Sequence, residues 1–323
     1  MLKYALLVVL LFASIAAAVE QDPVGLSDFP VPAWPQDGKI PPELKEKYVF
    51  VDLPKNEYVV AYPENLGTDT FAQNPGALRI NRYELLRDVA PAVYVEITAA
   101  KPGVFKYAYT VANGGRVKQS IDQWILVLPE QSVKDAIRQP DGWFAIIQKG
   151  RTFRLKNPEW IRSGSAAIWS FHKLEKVVQP GTSLKGFELE SELRPGFNVA
   201  YFRRSESIDV KVATHGNVPK VVKDQIDQVL AIEYNSRTAL VMAPKFDKSA
   251  DDHVIAGDFI QGILTLSRAG ALDLTSEFTR SVLNELTAIK PGTKGTPVRL
   301  TIPAKTAVET EILNALKACL NVS

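Results

Sequence analysis

The sequence predicts an α+β protein, with an antiparallel β-sandwich followed by a helical C-terminal region. Three observations carry this. Between residues 85 and 205, apolar and polar residues alternate in short runs separated by Pro, Gly and Asn, as half-buried strands require. After about Thr214 the apolar spacing lengthens to three or four residues, the period of a helix. The 323 residues are about twice a common domain length, so two compact units are expected. The predicted organisation is a signal peptide at 1–18, a Pro-rich lead-in with short strands at 19–84, the sandwich at 85–205 and a mainly helical region at 206–323.

The first segment reads as an export signal. Met1-Leu2-Lys3 is a short basic start, residues 4–15 are almost unbroken apolar, and Ala16-Ala17-Ala18 supplies small residues for cleavage before Val19. The apolar run is shorter than the roughly 20 residues a bilayer-spanning helix needs, and the polar Glu20-Gln21-Asp22-Pro23 follows at once. No cysteine stands near the cleavage site to take a lipid. The next apolar stretch, 255–274, is broken by Asp258, Arg268 and Gly270. A secreted or periplasmic protein is expected, without a transmembrane anchor once the signal is removed.

Six prolines, at 23, 30, 32, 35, 41 and 42, mark residues 19–47 as extended. Two β-like runs, 48–51 and 58–62, then flank the turn formers Pro54 and Asn56, and residues 63–76 read as loop. In the sandwich, Val93, Val95 and Ile97 share one strand face, and Phe105, Tyr107, Tyr109 and Val111 share another. Asn113-Gly114-Gly115 predicts a hairpin that returns along 120–128, where Trp124, Leu126 and Leu128 share a face. Further strands are expected at 143–147, 166–171, 184–193 and 198–202, punctuated by Pro-Gly and Asp-Gly pairs. Consistency across this span predicts that residues 85–205 fold alone.

The tail carries four amphipathic stripes. Pro219 precedes Val222, Ile226, Val229 and Leu230, and Asn235 is placed to end that helix. Ile255, Phe259, Ile260, Ile263 and Leu264 form a second stripe, and Phe278, Val282, Leu286 and Ile289 a third with Thr275 as its N-cap. Thr306-x-x-Glu309 is a capping-box spacing ahead of Val308, Ile312, Leu316, Cys319 and Leu320.

The series Tyr107-x-Tyr109-x-Val111-x-Asn113, Trp124, Gly142-Trp143, Trp169, Pro180-Gly181, Phe187-x-Leu189-x-Ser191, Pro195-Gly196 and Tyr201 resembles uncharacterised secreted bacterial proteins with an immunoglobulin-like β-sandwich domain. The resemblance covers about a third of the chain. It implies an immunoglobulin-like fold and an extracytoplasmic setting, and it brings no functional residues. Such proteins often end in a sorting or anchoring tail, a pattern that residues 313–323 do not match.

Composition narrows the chemistry. The 38 Lys and Arg nearly balance 36 Asp and Glu, so no nucleic-acid partner is expected. Cys319 is the single cysteine, which rules out an intramolecular disulfide, and its helical context predicts a buried thiol. His172, His215 and His253 stand apart, without metal-ligand spacing. Asp251-Asp252-His253 reads better as a helix start than as a metal site. Ser170-x-x-Lys173 matches a serine-enzyme pattern, but period two puts the two residues on opposite faces of a strand. No catalytic residue, metal or cofactor is assigned. Trp143 and Trp160 border loops and are the candidate binding residues for a protein or glycan partner. The residues favour a non-enzymatic binding or interaction module. The alternative is a hydrolase of envelope or extracellular polymer with an acidic cleft between the two parts.

Overall fold

The computed structural model describes residues 46–52, 54–68, 77–129, 137–152, 163–204, 218–229, 236–295 and 297–322. The expected signal peptide at 1–18, the proline-dense residues 19–45 and Trp160 lie outside the described residues.

A three-stranded antiparallel sheet comes first, β1 (Val49–Asp52), β2 (Glu57–Pro63) and β3 (Leu78–Glu84). Asn56 turns β1 into β2 at φ 54°, a left-handed conformation that a short amide tolerates. β3 carries no clear alternation in sequence because most of its side chains stay at least partly exposed. Helix α1 (Lys220–Val229) lays Val222, Ile226 and Val229 into one cluster with Tyr48, Val51, Tyr58 and Tyr62. The N-terminal strands therefore share a core with a helix from beyond residue 206.

Nine strands follow: β4 (Pro91–Lys101), β5 (Val104–Asn113), β6 (Gln123–Leu128), β7 (Ile137–Arg138), β8 (Trp143–Thr152), β9 (Ser163–Phe171), β10 (Ser183–Ser191), β11 (Arg194–Arg203) and β12 (Arg237–Phe246). They form a four-stranded sheet ordered β4-β5-β10-β7 and a five-stranded sheet ordered β12-β11-β6-β9-β8, antiparallel throughout. The sheets meet through aromatic rings. Trp124 pairs with Trp169 across β6–β9, and with Phe202 across β6–β11. The stacked centroids are 4.2 Å and 5.7 Å apart. From the facing sheet, Tyr109 and Phe187 present ring edges to Trp124, each at 5.5 Å, the arrangement the ring quadrupole favours.

Two expectations are corrected. Residues 113–115 do not close a hairpin between β5 and β6. β5 pairs with β4 and β10, and β6 lies in the other sheet. Asn113 is buried instead, accepting from Ala90 N–H at 3.0 Å and donating to Gln119 O at 2.8 Å, so the chain crosses between sheets there. The five-stranded sheet also runs past residue 205, because β12 pairs with β11 from Arg194↔Phe246 to Phe202↔Arg237. β12 is buried almost end to end, which erases the alternation that would mark it as a strand.

Helices α2 (Asp252–Arg268), α3 (Glu277–Thr287) and α4 (Ala307–Cys319) complete the chain, with a short parallel pair β13 (Pro297–Val298) and β14 (Asn321–Val322). Their stripes, including Ile255, Phe259, Val282, Ile312 and Leu316, belong to the same continuous core as Trp124 and Trp169. The N-cap of α3 is Ser276 rather than Thr275, whose hydroxyl bonds Asp273. The capping box of α4 forms as its spacing predicts, and buried Glu309 also accepts from Ser276 Oγ at 3.0 Å. One carboxylate thus ties the starts of two helices. Among the described residues no helix is long and apolar enough to cross a membrane.

Two outcomes are expected. Trp169→Ala removes the centre of the aromatic contact and should cost about 3–5 kcal/mol in urea unfolding. A fragment limited to residues 85–205 should lack cooperative unfolding, because β11 loses β12 and its helical cover. Extending the fragment to residue 322 should restore a single transition.

Candidate functional site

The tryptophan expected to offer its ring at a loop border is buried. Trp143 is 2% exposed, donates Nε1–H to Lys176 O at 2.8 Å and meets Phe187 edge-on at 5.0 Å. Strand parity is the cause: Trp143 points into the core, while Phe144 and Ile146 on the other face of β8 stay 43% and 48% exposed. Trp160, the second candidate, is outside the described residues. Ser170 Oγ accepts from Gln123 Nε2 at 2.9 Å, whereas Lys173 Nζ lies 3.5 Å from Asp141, so the S-x-x-K residues are not joined. Asp251 is the N-cap of α2, accepting from His253 N–H and Gly292 N–H, each at 2.7 Å. Cys319 is buried with Sγ 2.9 Å from Pro195 O, and burial raises its thiol far above the usual range. Among the described residues, no three His, Cys, Asp or Glu gather as a ligand set.

The structure brings other residues together where α2 crosses β11 and β12. Lys245 near the end of β12 and Asp258 on α2 form an ion pair, with side chains only 12% and 14% exposed. Both also grip the same residue of β11. Lys245 Nζ donates to Phe197 O at 2.8 Å, and Asp258 Oδ2 accepts from Phe197 N–H at 2.8 Å. The Phe197 ring lies against the helix backbone at Gly262, where an added Cβ would stand 1.9 Å from the ring. Beside this lock is a groove of about 360 Å³, walled by Phe246, Val254, Gly257 and Gln261. Gly257 lies open to it, since a Cβ there meets nothing within 4 Å.

Phe197 also lines a smaller cavity of about 50 Å³ between β4, β12, α2 and α4. Its walls are apolar, with Val93, Val95, Leu240, Met242, Leu266 and Ile312 among them. The exception is Glu311, whose Oε1 accepts from Val95 N–H, a donor on the edge of β4, at 3.2 Å. Burial pushes this carboxyl up to about 8, against the pull of the Val95 N–H. Nearby Tyr94 is raised as well, first by its own burial and then by Glu311.

Sequence reasoning passed over these residues. Asp258 is visible only as a charge interrupting the apolar run 255–274, and Lys245 as a charge near the end of another apolar run. Glu311 lies next to Ile312 on a helix with no patterned partner. Their meeting depends on β12, the strand that periodicity did not reveal.

No family model matches the chain, and no curated protein matches it. Among solved structures, the chain is similar to an uncharacterized protein from Nocardia farcinica whose crystal structure reveals an immunoglobulin-like fold. The identity is 13% and the TM-score 0.24, over 46% of this chain and 96% of that one. A likeness that slight carries no argument about the site.

Asp258→Asn should destabilise the fold by about 3–5 kcal/mol, because it leaves the buried Lys245 ammonium without a counter-charge. The same loss should appear in thermal melts of Lys245→Met. For Glu311 the folded carboxyl holds its proton to about pH 8, against 4.5 for an unperturbed group. Its contribution to stability is therefore full below about 4.5 and declines as pH rises through 8. Glu311→Gln removes this slope, so the stability of the variant relative to wild type should rise between pH 4 and pH 9.

Proposed function

We propose that this is an exported, non-enzymatic binding protein of the bacterial envelope or exterior, with an immunoglobulin-like two-sheet body and a ligand contact in the groove over α2. The observation that carries the reading is the partly satisfied ammonium at the groove wall. Lys245 has three N–H donors; among the described residues two acceptors, Asp258 and Phe197 O, take two of them, and Nζ also lies 5.7 Å from the ring centroid of Phe246, a wall of the groove. The groove volume falls within the roughly 300–1,000 Å³ of small-ligand sites. Asp258 balances the charge of Lys245, so the wall favours a neutral polar group with a carbonyl or hydroxyl acceptor, as glycans and peptides carry. Residues 1–18 support export, and the strand series from Tyr107 to Tyr201, together with two facing antiparallel sheets, supports the immunoglobulin-like class.

Hydrolysis is less well supported. Asp258 already accepts from Lys245 and from Phe197 N–H, whereas a glycosidase needs two carboxyl groups set about a substrate.

The test is a groove plug. Leu at position 257 should stabilise α2 by about 1 kcal/mol through helix propensity while filling the space beside Gly257. Titration of the wild-type protein with a panel of oligosaccharides and short peptides, followed by NMR, should shift Gly257 and Gln261, and Gly257→Leu should abolish that response. Equal binding by the variant would place the ligand elsewhere.

A further inference from the structure

The carboxyl of Glu311 presents an imbalance that the rest of the cavity does not correct. Its Oε1 is engaged by Val95 N–H, while Oε2 has no described partner, and among the described residues no cation pairs with it. Every other residue lining the cavity is non-titratable: Pro91, Ala92, Val93 and Val95 on β4, Phe197 on β11, residues 239–242 of β12, Leu266 and Ala271 by α2, and Val308 and Ile312 on α4. Tyr94 is the titratable neighbour, and its pKa is raised, so it stays a neutral phenol near pH 7. Glu311 itself is half-buried, which keeps a path from solvent to its oxygens.

We infer that this cavity is a binding site for a small primary ammonium carrying a short apolar chain, with Glu311 as its counter-ion. The chemistry follows from the walls. A carboxylate in apolar surroundings is costly when alone, and an opposite charge within a few ångströms restores the charged form. An ammonium supplies that charge together with donors for Oε2, while its carbon chain replaces water against Val93, Leu240 and Leu266. Size sets the class. At roughly 10–15 Å³ per water-sized probe, about 50 Å³ admits about four heavy atoms, which excludes amino sugars and larger amines. On binding, the amine enters as R–NH₃⁺, the O–H bond of Glu311 breaks, its proton passes to buffer, and a carboxylate–ammonium pair remains. No other bond changes.

Calorimetry with n-propylammonium, run at pH 7 in two buffers of different ionisation enthalpy, tests the assignment, and n-propanol serves as the neutral match in size. For about four heavy atoms, Kd should lie at about 10⁻⁴–10⁻³ M. The wild-type protein should bind the ammonium at least about tenfold more tightly than the alcohol and release close to one proton. Glu311→Gln keeps an oxygen for Val95 N–H, and its folding is checked by its melting transition. It should bind both compounds alike and release no proton. Gly257→Leu should leave ammonium binding unchanged, which separates this site from the groove. Equal wild-type affinity for the two compounds, no binding of the ammonium, or undiminished preference in Glu311→Gln would each overturn the inference.

Discussion

The fold depends on a ladder of aromatic rings. Trp169, Trp124 and Phe202 occupy partner positions on three neighbouring strands, so one buried column holds the mutual register of β9, β6 and β11. A slip of one residue in any of them would turn its ring to the opposite face of the sheet. Tyr109 and Phe187 set the spacing of the facing sheet by meeting this column edge-on. The same stack therefore fixes the alignment within one sheet and its distance from the other.

From that ladder the rest is positioned by parity. Phe202 and Phe197 are five residues apart on β11, an odd number, so they point to opposite faces. Phe202 belongs to the inter-sheet column, and Phe197 lies under α2. β11 is buried along nearly its whole length for this reason, and β12 follows it. The Lys245–Asp258 pair then holds the backbone of Phe197 at both its N–H and its C=O. Such a pair adds little net stability over apolar packing. What it specifies is which residue of the helix meets which residue of the strand.

Legibility in the sequence followed exposure. Strands with one wet face, such as β4 and β5, declare themselves by alternation, and α4 declares itself through Thr306 and Glu309. β12 has no wet face, so Thr238 to Ala243 gives a continuous buried run that periodicity leaves unassigned. That single omission hid the strand beyond residue 205 and, with it, the meeting of Lys245 with Asp258. Trp143 shows the converse limit. Its place after Asp141-Gly142 marks a loop border, but which face a strand's first residue takes is decided by its partner strand, here β9. The residues of the groove and cavity come from β4, β11, β12, α2 and α4, and no local pattern encodes a meeting of five segments.

Phe197 is the common wall of the groove and the cavity, and its ring has little slack, pressed on Gly262 and 5.6 Å from Phe259. An occupant of either space that displaces this ring changes the shape of the other. Linkage makes such an effect mutual: whatever factor the first occupant imposes on the affinity of the second, the second imposes on the first. Coupling of the two spaces therefore runs through movement of a single ring on β11, and an occupant that leaves Phe197 in place, as a side chain added at the open Gly257 does, leaves the other space unchanged.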